Sequence, residues 1–364
     1  FNHRLKTAIK KLIFPCTLFE DMGFTYLGPV DGHSVERLST TLEWAKELHC
    51  PVLVHVRTRK GRGYAPAEET PDRFHGVGPF DPATGTIAPA GEDFSAAFGG
   101  AMEQLAQEDG RVCAITAAMV EGTGLGGFAR YFPDRFFDVG IAEGHAVAMA
   151  AGMAKQGMLP VFAVYSSFLQ RGYDMLFHDV ALQNLHVVFA VDRAGLVGAD
   201  GATHHGVADV GYLSQVPGMT VLAPASFQEL RDLLRRAVMD LSGPVAVRYP
   251  RGGEGEYREG WSGESADLLR EGTDVTLVAY GTLINEVERA ARRLEAESGI
   301  TAQVIKLNRI TPLPTELVLE SVRRSGRLLV AEDCFASGCV GERLCAALAQ
   351  QGIPARIRLL NLGE

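Results

Sequence analysis

From residue 93 onward, short apolar runs alternate with longer stretches of mixed polarity. Val112-Cys113-Ala114-Ile115, Phe136-Phe137-Asp138-Val139, Val161-Phe162-Ala163-Val164, Val187-Val188-Phe189-Ala190-Val191, Thr220-Val221-Leu222 and Val245-Ala246-Val247 each have the length of a strand and are largely apolar. Strands with little polar alternation belong to parallel sheets, where crossover helices cover both faces. The alternation predicts an α/β fold: three units with mostly parallel sheets covered by helices on both faces, the first unit incomplete.

The first unit, residues 1–80, holds one βαβ element. An extended Tyr26-Leu27-Gly28 leads to a helix from Val35 to Leu48 with Ser34 as its cap, then to the strand Val52-Leu53-Val54-His55-Val56. One such element is too little for a domain. Residues 81–92 read as a Pro- and Gly-containing linker, 93–251 as a complete sheet of six strands, and 252–272 as a polar connector. Residues 273–364 form the third unit, with strands near Val275-Thr276-Leu277-Val278, Ala302-Gln303-Val304-Ile305 and Leu328-Leu329-Val330. Phe1 to Leu12 reads as the tail of a helix, and the chain stops soon after the apolar Ile357-Arg358-Leu359-Leu360. Both ends predict a piece of a longer polypeptide.

Composition narrows the classes. A length of 364 residues exceeds one ordinary core. The net charge of −9 comes with no concentrated basic block, which argues against a nucleic-acid groove or an anionic membrane surface. Small anionic ligands would then be caught by individual arginines. No apolar run approaches the roughly 20 residues of a membrane span, and the first residues of the sequence lack the apolar region of a secretory signal. Six cysteines without a paired framework point to free thiols in a reducing compartment. Cys334 and Cys339 lack a second ligand pair, so no metal site is expected there.

Candidate chemistry gathers where strands hand over to helices, since open parallel sheets bind ligands beyond the carboxyl ends of their strands. Glu143 follows the run Phe137 to Ala142 and precedes the apolar Ala146 to Met153, so its carboxyl is expected in a dry pocket that demands a partner. The same position suits a plain helix-start carboxylate. Tyr165, Arg193, Asp200 and Arg251 follow later strands. Arginine forks bind phosphate bidentately, yet each of these arginines, taken alone, reads first as half of a surface ion pair. Phe168, taken alone, reads first as core. His75 and His204 lie in loops where imidazoles can move protons, and Lys60 sits in a basic loop that could be merely solvated. His204-His205 has no further ligands at metal spacing. Gly122-Thr123-Gly124-Leu125-Gly126-Gly127 has the G-x-G-x-x-G form, but Thr116 to Glu121 separate it from the preceding strand, which removes the tight turn of a dinucleotide site.

Several strings resemble the 1-deoxy-D-xylulose-5-phosphate synthase family of thiamine-diphosphate enzymes: Asp138-Val139-Gly140-Ile141-Ala142-Glu143, Tyr165-Ser166-Ser167-Phe168-Leu169-Gln170-Arg171-Gly172-Tyr173-Asp174, Asp192 to Gly201, and Val247-Arg248-Tyr249-Pro250-Arg251-Gly252. Gly28 to His33 and Lys60-Gly61-Arg62-Gly63-Tyr64 extend the resemblance, which reaches weakly into the last ninety or so residues. It implies condensation of pyruvate with D-glyceraldehyde 3-phosphate, with loss of carbon dioxide, by a homodimer of a bacterial cytoplasm or a plastid stroma that uses thiamine diphosphate and Mg2+. Glu143 would hydrogen-bond the aminopyrimidine, Phe168 would stack on it, and Ile141 and Lys60 would also line the cofactor. Arg193 and Arg251 would hold the acceptor phosphate with Tyr165 and Asp200 assisting, and His75 and His204 would lie near the reacting carbon. No Gly-Asp-Gly with a following Asn at the family spacing is found, so the magnesium ligands are expected in a missing N-terminal portion, possibly a separate chain. Gly144 stands where the family usually has Gln, and Ala117 where it has Pro. Transketolase, a 2-oxo acid dehydrogenase β subunit, or a non-catalytic assembly subunit with a relic pocket are the alternatives.

Overall fold

The computed structural model describes residues 17–71, 73–75, 77–87 and 91–363, so the helix tail expected over Phe1 to Leu12 lies outside the described residues. Two compact units, Phe1–Pro89 and Ala90–Glu364, divide the chain.

The first unit runs through α1 (Thr17–Asp21), β1 (Thr25–Asp31), α2 (Val35–Glu47), β2 (Val52–Arg57), α3 (Ala65–Glu69), β3 (Phe80–Asp81) and β4 (Thr86–Ile87). β1 and β2 pair in parallel, and α2 begins where Ser34 Oγ accepts the Arg37 amide. Two strands cannot cover a helix. Accordingly α2 has no buried residue, and Val35, Leu42 and Trp44 stand exposed. β3 and β4 form a short antiparallel pair within the stretch expected to be plain linker. Asp81 makes that turn by accepting the Ala83 amide and the Thr84 hydroxyl, a local bond that apolar patterning does not report.

The second unit begins with α4 (Phe94–Glu108), β5 (Val112–Thr116), α5 (Gly126–Tyr131), β6 (Phe136–Asp138), α6 (Glu143–Lys155), β7 (Leu159–Tyr165) and a helical segment, α7, over 166–181. It continues with β8 (Val188–Asp192), α8 (Asp209–Leu213), β9 (Thr220–Leu222), α9 (Phe227–Met239) and β10 (Val245–Arg248). Then come β11 (Ala266–Arg270), β12 (Val275–Tyr280), α10 (Ile284–Ser298), β13 (Ala302–Leu307), β14 (Arg309–Thr311), α11 (Glu316–Ser325), β15 (Arg327–Ala331), α12 (Val340–Gln350) and β16 (Arg356–Leu360).

Among the described residues these strands make a seven-stranded sheet, ordered β14-β9-β10-β8-β7-β5-β6, and a five-stranded sheet, ordered β11-β13-β12-β15-β16. Every pairing is parallel except those of the edge strands β14 and β11. The mostly parallel α/β architecture is therefore the one the apolar runs lead one to expect. Two strands differ from that reading. β11 rises within the stretch taken as a connector, and β14 leaves the third region to pair with β9 of the larger sheet. Both are short edge strands broken by charged residues, which carry no continuous apolar signal.

One core runs through both sheets and includes Phe162, Val191, Ile305, Ile310 and Val330. A charge pair continues the junction: fully buried Lys306 on β13 reaches Glu229 on α9 at 2.5 Å. α9 presents Phe227, Leu230, Leu233, Leu234 and Ala237 on its buried face at helical spacing, and its cap Ser226 accepts the Glu229 amide.

Candidate active site

β5 leads to β6 on one side of the large sheet, and the chain then crosses back to add β7 on the other side of β5. That reversal opens a crevice beyond the carboxyl ends of β5 and β7. Register aligns Thr116 with Asp138 and with Ala163, and Tyr165 with Asp192, so the loops leave these strands at one level.

Asp138 ends β6, and its Oδ1 accepts the amides of Ala118 at 2.8 Å and Gly140 at 2.9 Å. This fixes the turn into α6. Glu143 opens that helix, only 3% exposed. Its Oε1 accepts Arg171 Nη1 at 2.5 Å, and the Arg171 side chain remains 56% exposed. The same guanidinium lies 5.0 Å from the centre of the Phe168 ring. Phe168 stacks 5.6 Å from Tyr165 and meets His204 edge-on at 5.3 Å. The hydroxyls of Ser166 and Ser167, at the start of α7, are buried without a hydrogen-bond partner. A Cβ at Gly144 would lie 2.5 Å from Met175 Cε, so Met175 fills space that a larger residue there would need.

Arg193 follows β8 in the left-handed region, with φ of 58°. Its Nη1 donates to Ser95 Oγ at 2.9 Å and to the Gly122 carbonyl at 2.5 Å, and pairs with Asp192 Oδ2 at 2.9 Å. Its guanidinium also lies 4.2 Å from the centre of the Tyr165 ring. Arg193 is therefore held as a buried guanidinium rather than as a surface ion pair. Burial pushes the Asp192 carboxyl up to about 6, against the pull of Arg193 and Ser95. Burial also raises the Tyr165 hydroxyl, opposed by Arg193. Tyr165 thus keeps its proton and can donate. Gly122 makes room for it: a Cβ there would lie 2.0 Å from Tyr165 Oη. The glycine-rich segment is a wall against Tyr165 and Arg193.

Arg251 pairs with Asp200 at 2.5 Å, and both side chains are partly exposed. Both residues act electrostatically on the Tyr165 hydroxyl. Arg248, by contrast, is buried between Asp209 and Asp333. His204 Nδ1 bonds Thr203 Oγ1 at 2.9 Å. Ile141 is 81% exposed. Lys60 and His75 are exposed residues of the first unit. Glu143, Tyr165, Phe168, Arg193 and His204 thus form one connected group through Arg171 and the stacked rings, with Asp200 and Arg251 beside Tyr165. Among the described residues no group of three or more His, Cys, Asp or Glu could hold a metal ion, and no helix is long and apolar enough to cross a membrane.

Sequence reasoning left Arg171, Ser95 and Asp192 unassigned. Arg171 lies three residues after Phe168, the spacing that places both on one helical face. Ser95 carried no such signal, because its partners lie 97 and 98 residues away.

Three family models match the chain in order. They are 1-deoxy-D-xylulose-5-phosphate synthase over residues 1–58, the transketolase pyrimidine binding domain over 91–254, and the transketolase C-terminal domain over 264–362. A solved split-gene transketolase, described as an inactive β4 tetramer, superposes with a TM-score of 0.67 at 30% identity, covering 75% of this chain and 89% of that one. The chain belongs to the transketolase family. Within the transketolase family it is similar over its whole length to 1-deoxy-D-xylulose-5-phosphate synthase 1 of Geobacter sulfurreducens, 48% identical over 100% of this chain and 58% of that protein. The synthase of Symbiobacterium thermophilum is 50% identical, over 99% of this chain and 56% of that protein. The chain thus spans rather more than half the length of these relatives. Transketolase from Leishmania mexicana, at 16% identity and a TM-score of 0.56 over 73% of this chain and 44% of that one, shares the fold.

Proposed function

We propose that this chain carries the pyrimidine-binding and C-terminal portions of an enzyme that condenses pyruvate with D-glyceraldehyde 3-phosphate, with decarboxylation, to 1-deoxy-D-xylulose 5-phosphate. The observation that carries this reading is Glu143: a carboxylate 3% exposed, opening a helix at the crevice and joined through Arg171 to the Phe168 ring. The residues fit the pyrimidine half of thiamine diphosphate. A buried acid, an aromatic face and the two orphaned hydroxyls of Ser166 and Ser167 suit a flat ring rich in nitrogen. The diphosphate and Mg2+ are assigned to residues outside this chain. When bound, the cofactor supplies the centre that accommodates carbanion character as pyruvate loses carbon dioxide.

Glu143 holds a ring nitrogen, and Arg171 gives way because its exposed guanidinium can be rehydrated. Phe168 supports the ring face, with Ile141 and Lys60 assigned to the cofactor as well. Arg251 takes the acceptor phosphate by exchanging Asp200 for it, since that pair is open to solvent. Arg193, fixed by its bonds to Asp192, Ser95 and Gly122, supplies constant positive potential behind Tyr165, whose hydroxyl donates to the substrate. His75 and His204 handle protons. The proposal includes a homodimer and an N-terminal portion that is either continuous with this chain or a separate one. The split-gene transketolase relative, described as an inactive β4 tetramer, supports the second arrangement as physically possible.

The test combines the chain with the remaining N-terminal portion, thiamine diphosphate and magnesium, and follows carbon dioxide and product. The reading expects product that requires both pyruvate and D-glyceraldehyde 3-phosphate. Transfer from a ketose phosphate without carbon dioxide would replace it with a transketolase. A folded, cofactor-loaded and inert assembly would leave a non-catalytic role.

A further inference from the structure

The loop 193–207 carries Arg193, Asp200 and His204, and it closes on itself at its base. The Gly195 amide donates to the Gly206 carbonyl at 2.8 Å, and the Gly206 amide donates back to the Gly195 carbonyl at 2.8 Å. Higher in the loop, His205 Nδ1 accepts the Val197 amide at 3.0 Å. The base of this loop is met by the segment that follows β15 of the smaller sheet. Asp333 presses on Gly195, where a Cβ would lie 2.2 Å from its Oδ2. The Phe335 amide donates to the Val207 carbonyl at 2.9 Å. Both stems of the loop are therefore touched by the same short segment.

Asp333 is itself held from the larger sheet. Its Oδ1 accepts Arg248 Nη2 at 2.8 Å, while Arg248 Nε donates to fully buried Asp209 at 2.8 Å. Arg248 ends β10, the strand that leads to Arg251. A carboxylate with one oxygen fixed by a buried arginine and the other against backbone cannot swing aside freely.

We propose that Asp333 is a positioning residue: the C-terminal portion of the chain braces the loop 193–207 through the Arg248–Asp333–Gly195 contact and so sets Arg193, Asp200 and His204 for an anionic substrate. The part concerning substrate rests on the function proposed above, whereas the brace does not. Its role is mechanical, since its bonds run to Arg248 and its second oxygen lies against Gly195 rather than against a substrate-facing group.

Hydrogen exchange of the full chain tests the brace directly. Asp333→Asn weakens the contact, and Asp333→Glu crowds it against Gly195 while leaving every charge in place. In both, amides of 194–207 should exchange at least about tenfold faster, with the β7 and β8 amides unchanged. In the active assembly, KM for D-glyceraldehyde 3-phosphate should rise about tenfold with kcat within about threefold of wild type. Unchanged exchange over 194–207 in folded variants overturns the proposal. Should Asp333→Asn fail to fold because Arg248 loses its partner, Asp333→Glu, which keeps that charge, decides. Faster exchange with an unmoved KM upholds the brace and removes the loop from the substrate site.

Discussion

Arg171 Nη1 lies 2.5 Å from Glu143 Oε1, so an exposed guanidinium neutralises a carboxylate that is 3% exposed. Water competes for the arginine but not for the acid. The pair should therefore be easily opened from one end only, a useful property at a site where another group is to meet Glu143. Removing the arginine leaves a buried acid without its cation. Arg171→Gln should lose about 1–2 kcal/mol of stability in urea unfolding, and Arg171→Gln combined with Glu143→Gln should recover part of it, with a coupling of roughly 1 kcal/mol. Additive losses would show that the pair carries no energy.

Gly122→Ala tests the wall behind Tyr165. The added methyl would overlap Tyr165 Oη, which lies 2.0 Å from the Cβ position, and the ring would tilt under the Arg193 guanidinium. The expected outcome is weaker binding of the phosphorylated aldehyde by about tenfold, with cofactor binding and the circular dichroism spectrum unchanged. Substrate affinity equal to wild type would detach Tyr165 from the substrate.

Lys306 and Glu229 form a pair with no exposed side-chain surface at the junction of the two sheets. Lys306→Met strands the Glu229 carboxylate, so unfolding in guanidinium should show a loss of about 3–5 kcal/mol. Lys306→Met with Glu229→Gln should recover part of it, since the stranded charge is then gone while the Ala225 amide keeps its acceptor. A single variant within about 1 kcal/mol of wild type would mean that water reaches the junction.

The Asp192 carboxyl is raised from 3.8 to about 6 by burial. Over that interval the folded protein holds a proton that the unfolded chain has released, so the contribution of Asp192 to stability is full below the lower value and is lost as pH rises through the upper one. Asp192→Asn removes this slope. Between about pH 4 and pH 6.5, the stability of wild type minus that of the variant should fall by on the order of 1–3 kcal/mol, read from urea titrations at each pH. A difference that grows with pH would contradict the assignment.

The parallel core was readable because β5, β8 and β10 are buried along their whole length and so appear as bare apolar runs. β11 and β14 escaped notice because an edge strand needs to satisfy only one neighbour. The handover that buries Glu143 is local and could be read from the residues around it. Its partner could not, since Arg171 lies 28 residues away and meets it only because α6 and α7 pack together. The same limit hid Ser95 and Asp333, which touch the loops after β8 from distant parts of the chain. Arginine roles were the least readable: Arg193, Arg248 and Arg251 all follow or end apolar strands, and only the fold separates the two buried ones from the one open to solvent.

Turnover of Glu143→Gln in the complete assembly, supplied with pyruvate and D-glyceraldehyde 3-phosphate, is the decisive measurement. The substitution keeps the side-chain shape and removes only the acid. The account predicts a folded protein whose kcat falls by about 10³-fold, within the range for loss of a positioned acid or base. Activity within about tenfold of wild type would show that this carboxylate does not act on the cofactor.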